Sequence, residues 1–338
     1  MKRTTLALLC LVLTAPALAA TGCGEKTENT SAPKTQKLDL ILDFFPNADH
    51  VGIYAAIADR EFAKVGLEVT PRAPSDPAAP LKLLAAGKAD LVISYEPEVF
   101  LARDKGLDVV AVGAVVQKPL TSIIAVPPSP VRSAAGLRDR RVGTAGIPYQ
   151  SAYLKTILER ARVNPATVSE INVGFNLVPA LLSKKVDATL GGFWNYEGVQ
   201  LAQLKRRPVV IPVDRAGVPT YNELVVVARR SDLKSDPGKV RRFMRALSAG
   251  YERVRDDPAR ATSQLVAANR DLDPRLQLAS VKATLPVFFP TSTKRPFGYQ
   301  DAREWVAYGA WMLRNDLIKR SPSATRAFSN EFLPGQGL

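Results

Sequence analysis

Hydrophobic and polar residues follow one another in short blocks that predict strands alternating with helices. Residues 38–42 (LDLIL) form an apolar run of the kind that becomes a buried strand. Residues 48–64 then carry apolar side chains at helical spacing, and residues 89–94 (ADLVIS) predict a further strand. Because a strand, a helix and a second strand in this order favour parallel pairing, the pattern predicts an open α/β sheet.

The same order appears a second time further along the chain. Residues 125–130 (AVPPSP) break the pattern, and we expect the chain to cross there into a second lobe. A strand at residues 141–144, a helix at 151–160 and a strand at 186–190 then follow. This repetition predicts a second open sheet of similar size.

From residue 237 onward the sequence is mainly helical, with four segments that show capping residues or helical spacing. Four helices without strands cannot build a sheet, so we expect them to pack on the first lobe and to make that lobe discontinuous. The fold class predicted is therefore α/β with two lobes and a two-segment hinge. The predicted division is a signal peptide at residues 1–22, a tether at 23–37, lobe 1 at 38–125, lobe 2 at 126–224, and a return to lobe 1 with C-terminal helices at 225–338.

One short segment combines the chemistry of a binding site for a flat ring. Residues 191–198 (GGFWNYEG) supply glycines, aromatic faces, an amide and a carboxylate. The segment follows the predicted strand at residues 186–190, and α/β sheets bind ligands at the carboxyl ends of their strands. The alternative is that the aromatic residues fill a core and that Glu197 caps a helix.

Two further strand ends carry polar and aromatic residues. One is the segment 43–50 (DFFPNADH), and the other is the segment 94–98 (SYEPE). His50 also has a second interpretation, as a residue of the first helical turn without a ligand contact. The candidate ligand-binding residues are Phe44, Asn47, His50, Ser94, Tyr95, Glu98, Trp194, Asn195, Tyr196, Glu197 and Tyr221.

The amino-terminal residues have the pattern of an export signal. Two basic residues precede an apolar run at residues 6–13, which is too short to span a membrane, and small residues lead up to Cys23. This ending resembles a bacterial lipobox and predicts lipidation of Cys23. The alternative is cleavage after Ala19 and a soluble secreted form. Residues 25–37 are polar and predict an unstructured tether.

Composition excludes several kinds of catalytic centre and does not identify a nucleic-acid site. The chain has two cysteines, of which Cys10 falls in the signal, and one histidine, so thiolate metal sites and histidine-based triads are not expected. The net charge is +14, but Lys and Arg are dispersed among acidic residues without a recognition motif. We therefore predict no metal, no cofactor and no nucleic-acid partner.

Three motifs carry a resemblance to a known family. LDFFPNADHVGIYAA at residues 42–56, PSDPAAPLKLLAAGKADLVISYEPEV at residues 74–99 and GGFWNYEG at residues 191–198 resemble the NMT1/THI5-like family of solute-binding proteins. The resemblance implies a periplasmic-binding fold of type II that closes on a small molecule. It also implies an ABC importer, whose permease and ATPase would be partners of a monomeric, membrane-anchored binding protein.

The resemblance also implies roles for individual residues. In the transporters of this family, aromatic side chains sandwich a 4-aminopyrimidine ring and a carboxylate binds its polar edge. At matching positions, Trp194 and Tyr196 are the stacking candidates and Glu197 is the edge acceptor. Relatives often have tryptophan where this chain has Phe44. Because of this departure, the resemblance does not specify which ring the site binds. A pyrimidine precursor of thiamine is expected first, riboflavin second and a sulfonate or nitrate-like anion third.

Family resemblance also raises the possibility of an enzyme. The fungal pyrimidine synthases of the family carry a cofactor-binding lysine and a nearby histidine where this chain has residues 94–98, and no lysine stands there. A Schiff base needs that amine, so the synthase alternative is rejected. An acid–base pair of Glu98 and Glu197 remains an alternative, and the expectation is that both residues are hydrogen-bond acceptors.

Overall fold

The computed structural model describes residues 35–320 and 324–335. The predicted signal peptide, the lipidation site at Cys23 and most of the tether lie outside these residues. In the described part, no helix is long and apolar enough to cross a membrane. The first strand begins at Gln36, so the last two residues of the predicted tether belong to the folded protein.

The described residues contain ten strands, numbered here in chain order. They are β1 (Gln36–Ile41), β2 (Leu67–Arg72), β3 (Leu91–Ser94), β4 (Val109–Val116), β5 (Thr121–Ala125), β6 (Arg141–Thr144), β7 (Ser169–Asn172), β8 (Ala188–Phe193), β9 (Val209–Pro212) and β10 (Leu224–Arg229).

Helices fill most of the intervals between these strands and dominate the carboxyl-terminal part. They are α1 (Val51–Ala58), α2 (Glu61–Lys64), α3 (Pro80–Ala85), α4 (Glu96–Asp104), α5 (Pro148–Arg160), α6 (Leu177–Leu182), α7 (Glu197–Gln203), α8 (Arg230–Ser235), α9 (Pro237–Asp256), α10 (Pro258–Ala268), α11 (Pro274–Phe288), α12 (Ala302–Arg314) and α13 (Ala324–Ala327).

The strands form two mixed sheets, and the predicted two-lobed α/β fold is confirmed. The first sheet has the order β2-β1-β3-β10-β4, with β10 antiparallel to both neighbours. The second has the order β7-β6-β8-β5-β9, with β5 antiparallel to β8 and β9. We call the first sheet with its helices lobe 1 and the second sheet with its helices lobe 2.

The predicted crossing at residues 125–130 is wrong. β5 pairs with β8 and β9 of the second sheet, so the chain leaves the first sheet between Val116 and Thr121. An apolar run has the same sequence pattern whether it ends one sheet or begins the next, and the prolines that follow β5 end this strand inside lobe 2. The chain returns between β9 and β10, which pairs with β3 and β4 of the first sheet.

Glu223 joins the two crossing segments. Its carboxylate accepts hydrogen bonds from the backbone N–H of Leu120 at 2.6 Å and of Thr121 at 2.8 Å, and from the hydroxyl of Tyr221 at 3.1 Å. All of these atoms are buried. Burial raises the pKa of Glu223 to about 7. The carboxylate therefore fixes the region where two lobes of this kind hinge.

Capping residues set the carboxyl-terminal helices in place. The side chains of Asp236, Asp257 and Asp273 accept hydrogen bonds from the first turns of α9, α10 and α11, and each is followed by a proline. Asp301 caps α12 in the same way. These caps were readable in the sequence, and the four predicted helices form with bounds shifted by a few residues.

Candidate functional site

A cavity lies between the two lobes, at the ends of strands from both sheets. It holds about 390 Å³ of space not occupied by protein atoms, including its opening to solvent. The lining residues are Asp43, Phe44, Asn47, Tyr95, Ala145, Ile147, Tyr149, Gln150, Leu177, Gly191, Phe193, Tyr196 and Glu197.

The corner after β1 is held by local hydrogen bonds. The Asn47 side chain accepts from the backbone N–H of Asp49 at 2.8 Å, and His50 Nδ1 accepts from the backbone N–H of Asn47 at 3.2 Å. This reciprocal cap forms the short 3₁₀ turn at Ala48–His50 that precedes α1. The turn directs the segment from residue 43 to residue 47 into the cavity.

Asp43 is buried and lines the cavity. Its Oδ1 lies 2.8 Å from His50 Nε2, and its Oδ2 accepts from the Tyr95 hydroxyl at 2.7 Å. Because Nδ1 of His50 accepts a backbone N–H, Nε2 carries the proton that His50 donates to Asp43. Both carboxylate oxygens are thus fixed, and the buried His50 acts on Asp43 instead of lining the cavity, contrary to its predicted ligand contact.

The corner after β8 supplies the second carboxylate. Glu197 is the first residue of α7, and its Oε2 accepts from the backbone N–H of Phe193 at 2.7 Å. This bond reaches back to the end of β8 and does not cap α7, whose N-cap is Tyr196, and Glu197 lines the cavity. Desolvation by burial raises the pKa of Glu197 to about 7. Tyr196, beside it, accepts from the Gln277 side chain at 3.0 Å.

A third wall comes from the beginning of α5, and sequence analysis missed it. Tyr149 and Gln150 line the cavity just after β6, and Gln150 Oε1 accepts from the backbone N–H of Ala145 at 2.8 Å. Gln150 packs against Gly191, where a Cβ would lie 2.3 Å from the amide nitrogen and where φ is +120°. Residues 191–198 were selected because they follow a predicted strand. Residues 145–150 and Asp43 also follow strands, so the same reasoning could have identified them.

Trp194 and Asn195 are near the site but do not line it. The indole N–H of Trp194 donates to the backbone carbonyl of Pro119 at 3.0 Å, which turns the ring toward the crossing segment. Asn195 is fully buried and bonds to Asp49 of lobe 1 at 2.7 Å. The stacking role predicted for Trp194 and the ligand contact predicted for Asn195 therefore do not match their positions.

Three more predicted residues lie behind the cavity. Ser94 is buried in β3 opposite Val225 of β10. Glu98 stands in the first turn of α4, and burial raises its pKa to about 7. Tyr221 is fully buried beside the rings of Tyr153 and Tyr308 and binds Glu223. None of the three is among the cavity-lining residues.

The lining has a clear electrostatic character. Its charged side chains are Asp43 and Glu197, and neither lysine nor arginine is among the residues that line it. Five aromatic rings share the lining with these acids, those of Phe44, Tyr95, Tyr149, Phe193 and Tyr196. Such a cavity favours a flat molecule that donates hydrogen bonds, and it disfavours an anion.

An aromatic cluster from both lobes borders the wider groove at the mouth. Phe44 and Phe45 of lobe 1 approach Phe175 of lobe 2, with ring centroids 4.6 Å and 4.2 Å away. The groove shares Phe44, Asn47, Tyr196 and Glu197 with the cavity, so the two form one continuous cleft. The aromatic contacts bring the lobe rims together over it.

Two open α/β lobes with an enclosed cleft between their strand ends define a periplasmic-binding type of fold. The alkanesulfonate-binding protein SsuA from Xanthomonas axonopodis pv. citri, bound to MOPS, has this fold, with a TM-score of 0.69 and 17% identity over 88% of this chain and 99% of that chain. The chain belongs to the NMT1/THI5-like family, whose sequence model matches residues 47–261.

The proteins to which the chain is similar include a binding protein and an enzyme. The chain is 33% identical to the formylaminopyrimidine-binding protein of Halalkalibacterium halodurans, over 87% of this chain and 90% of that protein. It is 22% identical to the 4-amino-5-hydroxymethyl-2-methylpyrimidine phosphate synthase of Legionella pneumophila, over 88% of this chain and 92% of the synthase.

Proposed function

We propose that the chain is the extracytoplasmic solute-binding component of an ABC importer and captures a pyrimidine precursor of thiamine, such as formylaminopyrimidine. The single observation that carries the choice of ligand is the cavity lining, in which two carboxylates and five aromatic rings occur without a cation. A 4-aminopyrimidine presents a flat face to the rings and N–H donors to Asp43 and Glu197. The relative at 33% identity supports the same ligand class.

The same lining argues against the two alternative ligands. A sulfonate or nitrate-like anion would meet Asp43 and Glu197 without a compensating lysine or arginine in the lining. Riboflavin carries carbonyl acceptors along most of its polar edge, and acceptors facing carboxylates form no hydrogen bonds. A donor-rich aminopyrimidine is the better complement.

The arrangement supports binding instead of catalysis. The acid–base alternative needs Glu98 and Glu197 at one substrate, but Glu98 is not among the residues that line the cavity. The lining also lacks a lysine or cysteine nucleophile, so the Schiff base of a synthase has no amine in this cavity. We therefore propose that the ligand leaves the protein chemically unchanged.

A lipid anchor at Cys23 is part of the proposal. Small residues before this cysteine and the polar segment after it support lipidation and a tether. We expect wild-type protein to partition into the membrane fraction of its host with an acyl group on residue 23. The Cys23→Ala variant should appear in the soluble fraction or as precursor, and wild-type protein that is soluble and unacylated would contradict the anchor. We further propose that the protein acts as a monomer.

The proposed function is tested by thermal unfolding in the presence of a ligand panel. A ligand that binds the folded protein alone stabilises it by about 2.7 kcal/mol at a hundredfold excess over its Kd. We expect aminopyrimidines to raise the unfolding temperature, with riboflavin and alkanesulfonates leaving it unchanged. Mass spectrometry of the recovered ligand should show no product. Stabilisation by an alkanesulfonate alone, or turnover of the pyrimidine, would overturn the proposal.

A further inference from the structure

Asp49 and Asn195 form a direct contact between the two lobes. Asp49 lies in the 3₁₀ turn after β1, and Asn195 lies between β8 and α7. The Nδ2 of Asn195 donates to Asp49 Oδ1 at 2.7 Å and to Thr284 Oγ1 at 2.6 Å. Both side chains are fully buried, so the contact is shielded from water. It links the turn that carries Asn47 to the turn that carries Tyr196 and Glu197.

Each partner of this contact keeps one oxygen without a hydrogen bond. Asp49 Oδ2 and Asn195 Oδ1 are both buried, and neither has a donor among the described residues. Two unsatisfied acceptors in one buried pair are unusual, because burying such groups without partners is costly. A single proton on Asp49 converts one of these oxygens into a donor and completes a carboxylic acid–carboxamide pair.

We propose that Asp49 and Asn195 are positioning residues for the ligand site, and that closing the lobes takes up one proton, which Asp49 shares with Asn195. This inference rests on the proposed function, because it treats the space between the lobes as the ligand site. Neither residue touches the ligand. They hold in place the corners after β1 and after β8, which line the ligand site. The contact between them forms only when the lobes meet.

The surroundings of Asp49 favour the protonated form. Desolvation by burial is the main cause that raises its pKa, from an ordinary value of 3.8 to about 7. Nearby carboxylates raise it further, whereas His50 and the Asn195 hydrogen bond lower it. The titratable groups that face Asp49 are Asp43 and His50 of its own segment, Tyr196 and Glu197 of lobe 2, and Tyr251 of α9.

Ligand affinity is expected to fall as the pH rises through the range in which closing takes up a proton. The proposal requires that Asp49 meets water when the lobes separate and regains its ordinary pKa of 3.8, whereas burial in the closed lobes raises this pKa to about 7. Between these values closing requires a proton, so affinity falls by up to about tenfold per pH unit as the pH rises. Above about pH 8 closing takes up no proton at Asp49, and this part of the pH dependence ends.

Titration calorimetry in buffers of different ionisation enthalpy measures how many protons the protein takes up for each ligand bound. The probe is formylaminopyrimidine, and the proteins are wild type and Asp49→Asn, whose amide keeps the shape and permanently supplies a donor to Asn195. We expect wild type to take up about one proton more per ligand than Asp49→Asn at pH 5.5, and the difference to vanish at pH 8.5. Glu197 is present in both proteins, so its own proton uptake is common to them apart from its coupling to Asp49. Asp139→Asn, at an exposed position of lobe 2, should behave as wild type.

Equal proton uptake in wild type and Asp49→Asn would overturn the proposal. So would a folded Asp49→Asn protein that no longer binds the pyrimidine. The Asn195→Asp variant sets two carboxyls face to face and should bind at least tenfold more weakly at pH 8.5. Adding Asp49→Asn to it reverses the acid and the amide, and should restore both affinity and proton uptake.

The ligand-free proteins test the contact between Asp49 and Asn195 separately from the proposed function. The proton that closing takes up is released on ligand dissociation where the ligand-free lobes are open, and on unfolding where they are closed as in this structure. If no pyrimidine binds, thermal unfolding of the ligand-free proteins reads the second case, and wild type should lose stability relative to Asp49→Asn as the pH rises from 4 to 7. An unchanged stability difference across that range, with no difference in proton uptake, would overturn the contact.

Discussion

Glu197 and Asp43 supply the carboxylates of the cavity, one from each lobe. We expect Glu197→Ala to weaken formylaminopyrimidine binding by about 1 to 3 kcal/mol, because it leaves a buried donor of the ligand unpaired. Calorimetry measures this loss. The matched control is Glu159→Ala, which removes an exposed carboxylate on α5 and should leave the affinity unchanged. Unchanged affinity in Glu197→Ala would remove this residue from the site.

Trp194 and its neighbour Tyr196 should behave differently, although both were predicted to stack. Trp194→Phe removes the hydrogen bond to Pro119 and should lower the free energy of unfolding by about 0.5 to 1.5 kcal/mol with little change in ligand affinity. Tyr196→Leu removes an aromatic face from the cavity and should weaken binding by at least about 0.5 to 1.5 kcal/mol. Thermal unfolding and calorimetry on both variants separate the two effects. A strong affinity loss in Trp194→Phe alone would contradict this assignment.

Sequence patterns located the two corners but not the direction of each side chain. Residues 43–50 and 191–198 were recognised because aromatic and polar residues follow predicted strands. Hydrogen bonds to residues distant in the sequence decide which side chain faces the cavity. Trp194 bonds to residue 119, Asn195 to residue 49 and Tyr196 to residue 277. Periodicity carries no information about such contacts.

At the level of elements, the packing of α1 against α9 holds the first corner in position. A Cβ on Gly250 of α9 would lie 2.1 Å from the backbone oxygen of Gly52 in α1, and the neighbouring Tyr251 donates to the backbone oxygen of Asp49 at 2.6 Å. Two small residues therefore allow a close approach of the helices, and that approach places Tyr251 beneath the 3₁₀ turn.

Gly250→Ala should force these helices apart. We expect a loss of about 1 to 3 kcal/mol in the free energy of unfolding from overpacking, together with weaker ligand binding because the corner moves. Chemical denaturation and calorimetry measure both. Gly238→Ala is the control on the same helix, since its Cβ would meet the ends of the Arg242 and Asp236 side chains at 3.3 Å and 3.6 Å and no backbone atom of α1. Equal stability of the two variants would show that the contact does not hold the corner.

The positions at which the chain crosses between the lobes could not be predicted from the sequence. The apolar run that forms β5 was predicted as an addition to lobe 1, but its partners β8 and β9 begin more than sixty residues later. Strand existence follows from local composition, whereas sheet membership follows from pairing with distant segments. Glu223 also escaped prediction, because its role is to satisfy backbone groups of residues 120 and 121.

At the scale of the molecule, five enclosed carboxyl groups among the described residues predict a free energy of unfolding that is higher on the acidic side of neutrality. Burial is the main cause that raises their pKa, to about 7 or 8, so the folded protein holds more protons than the unfolded protein between about pH 4 and pH 8. The free energy of unfolding should fall as the pH rises through this window and level off above it. The groups are Asp49, Glu96, Glu98, Glu197 and Glu223.

Denaturation at a series of pH values between 5 and 8.5 measures this trend. Each additional proton bound by the folded state changes stability by about 1.4 kcal/mol per pH unit. Replacing Glu96, which burial shifts furthest among the five, by Gln should flatten the alkaline part of the curve. Stability that rises steadily from pH 5.5 to 8.5 would contradict the burial of these groups as ionisable acids.

We propose that the cleft selects a hydrogen-bond-donating aminopyrimidine over an anion. Calorimetric titration of the full-length protein with formylaminopyrimidine, and then with an alkanesulfonate, measures this selectivity. The predicted result is saturable binding of one pyrimidine per chain, and no competition from the sulfonate at a hundredfold excess. Tight binding of the sulfonate with no heat from the pyrimidine would rule out an aminopyrimidine as the ligand of this cleft.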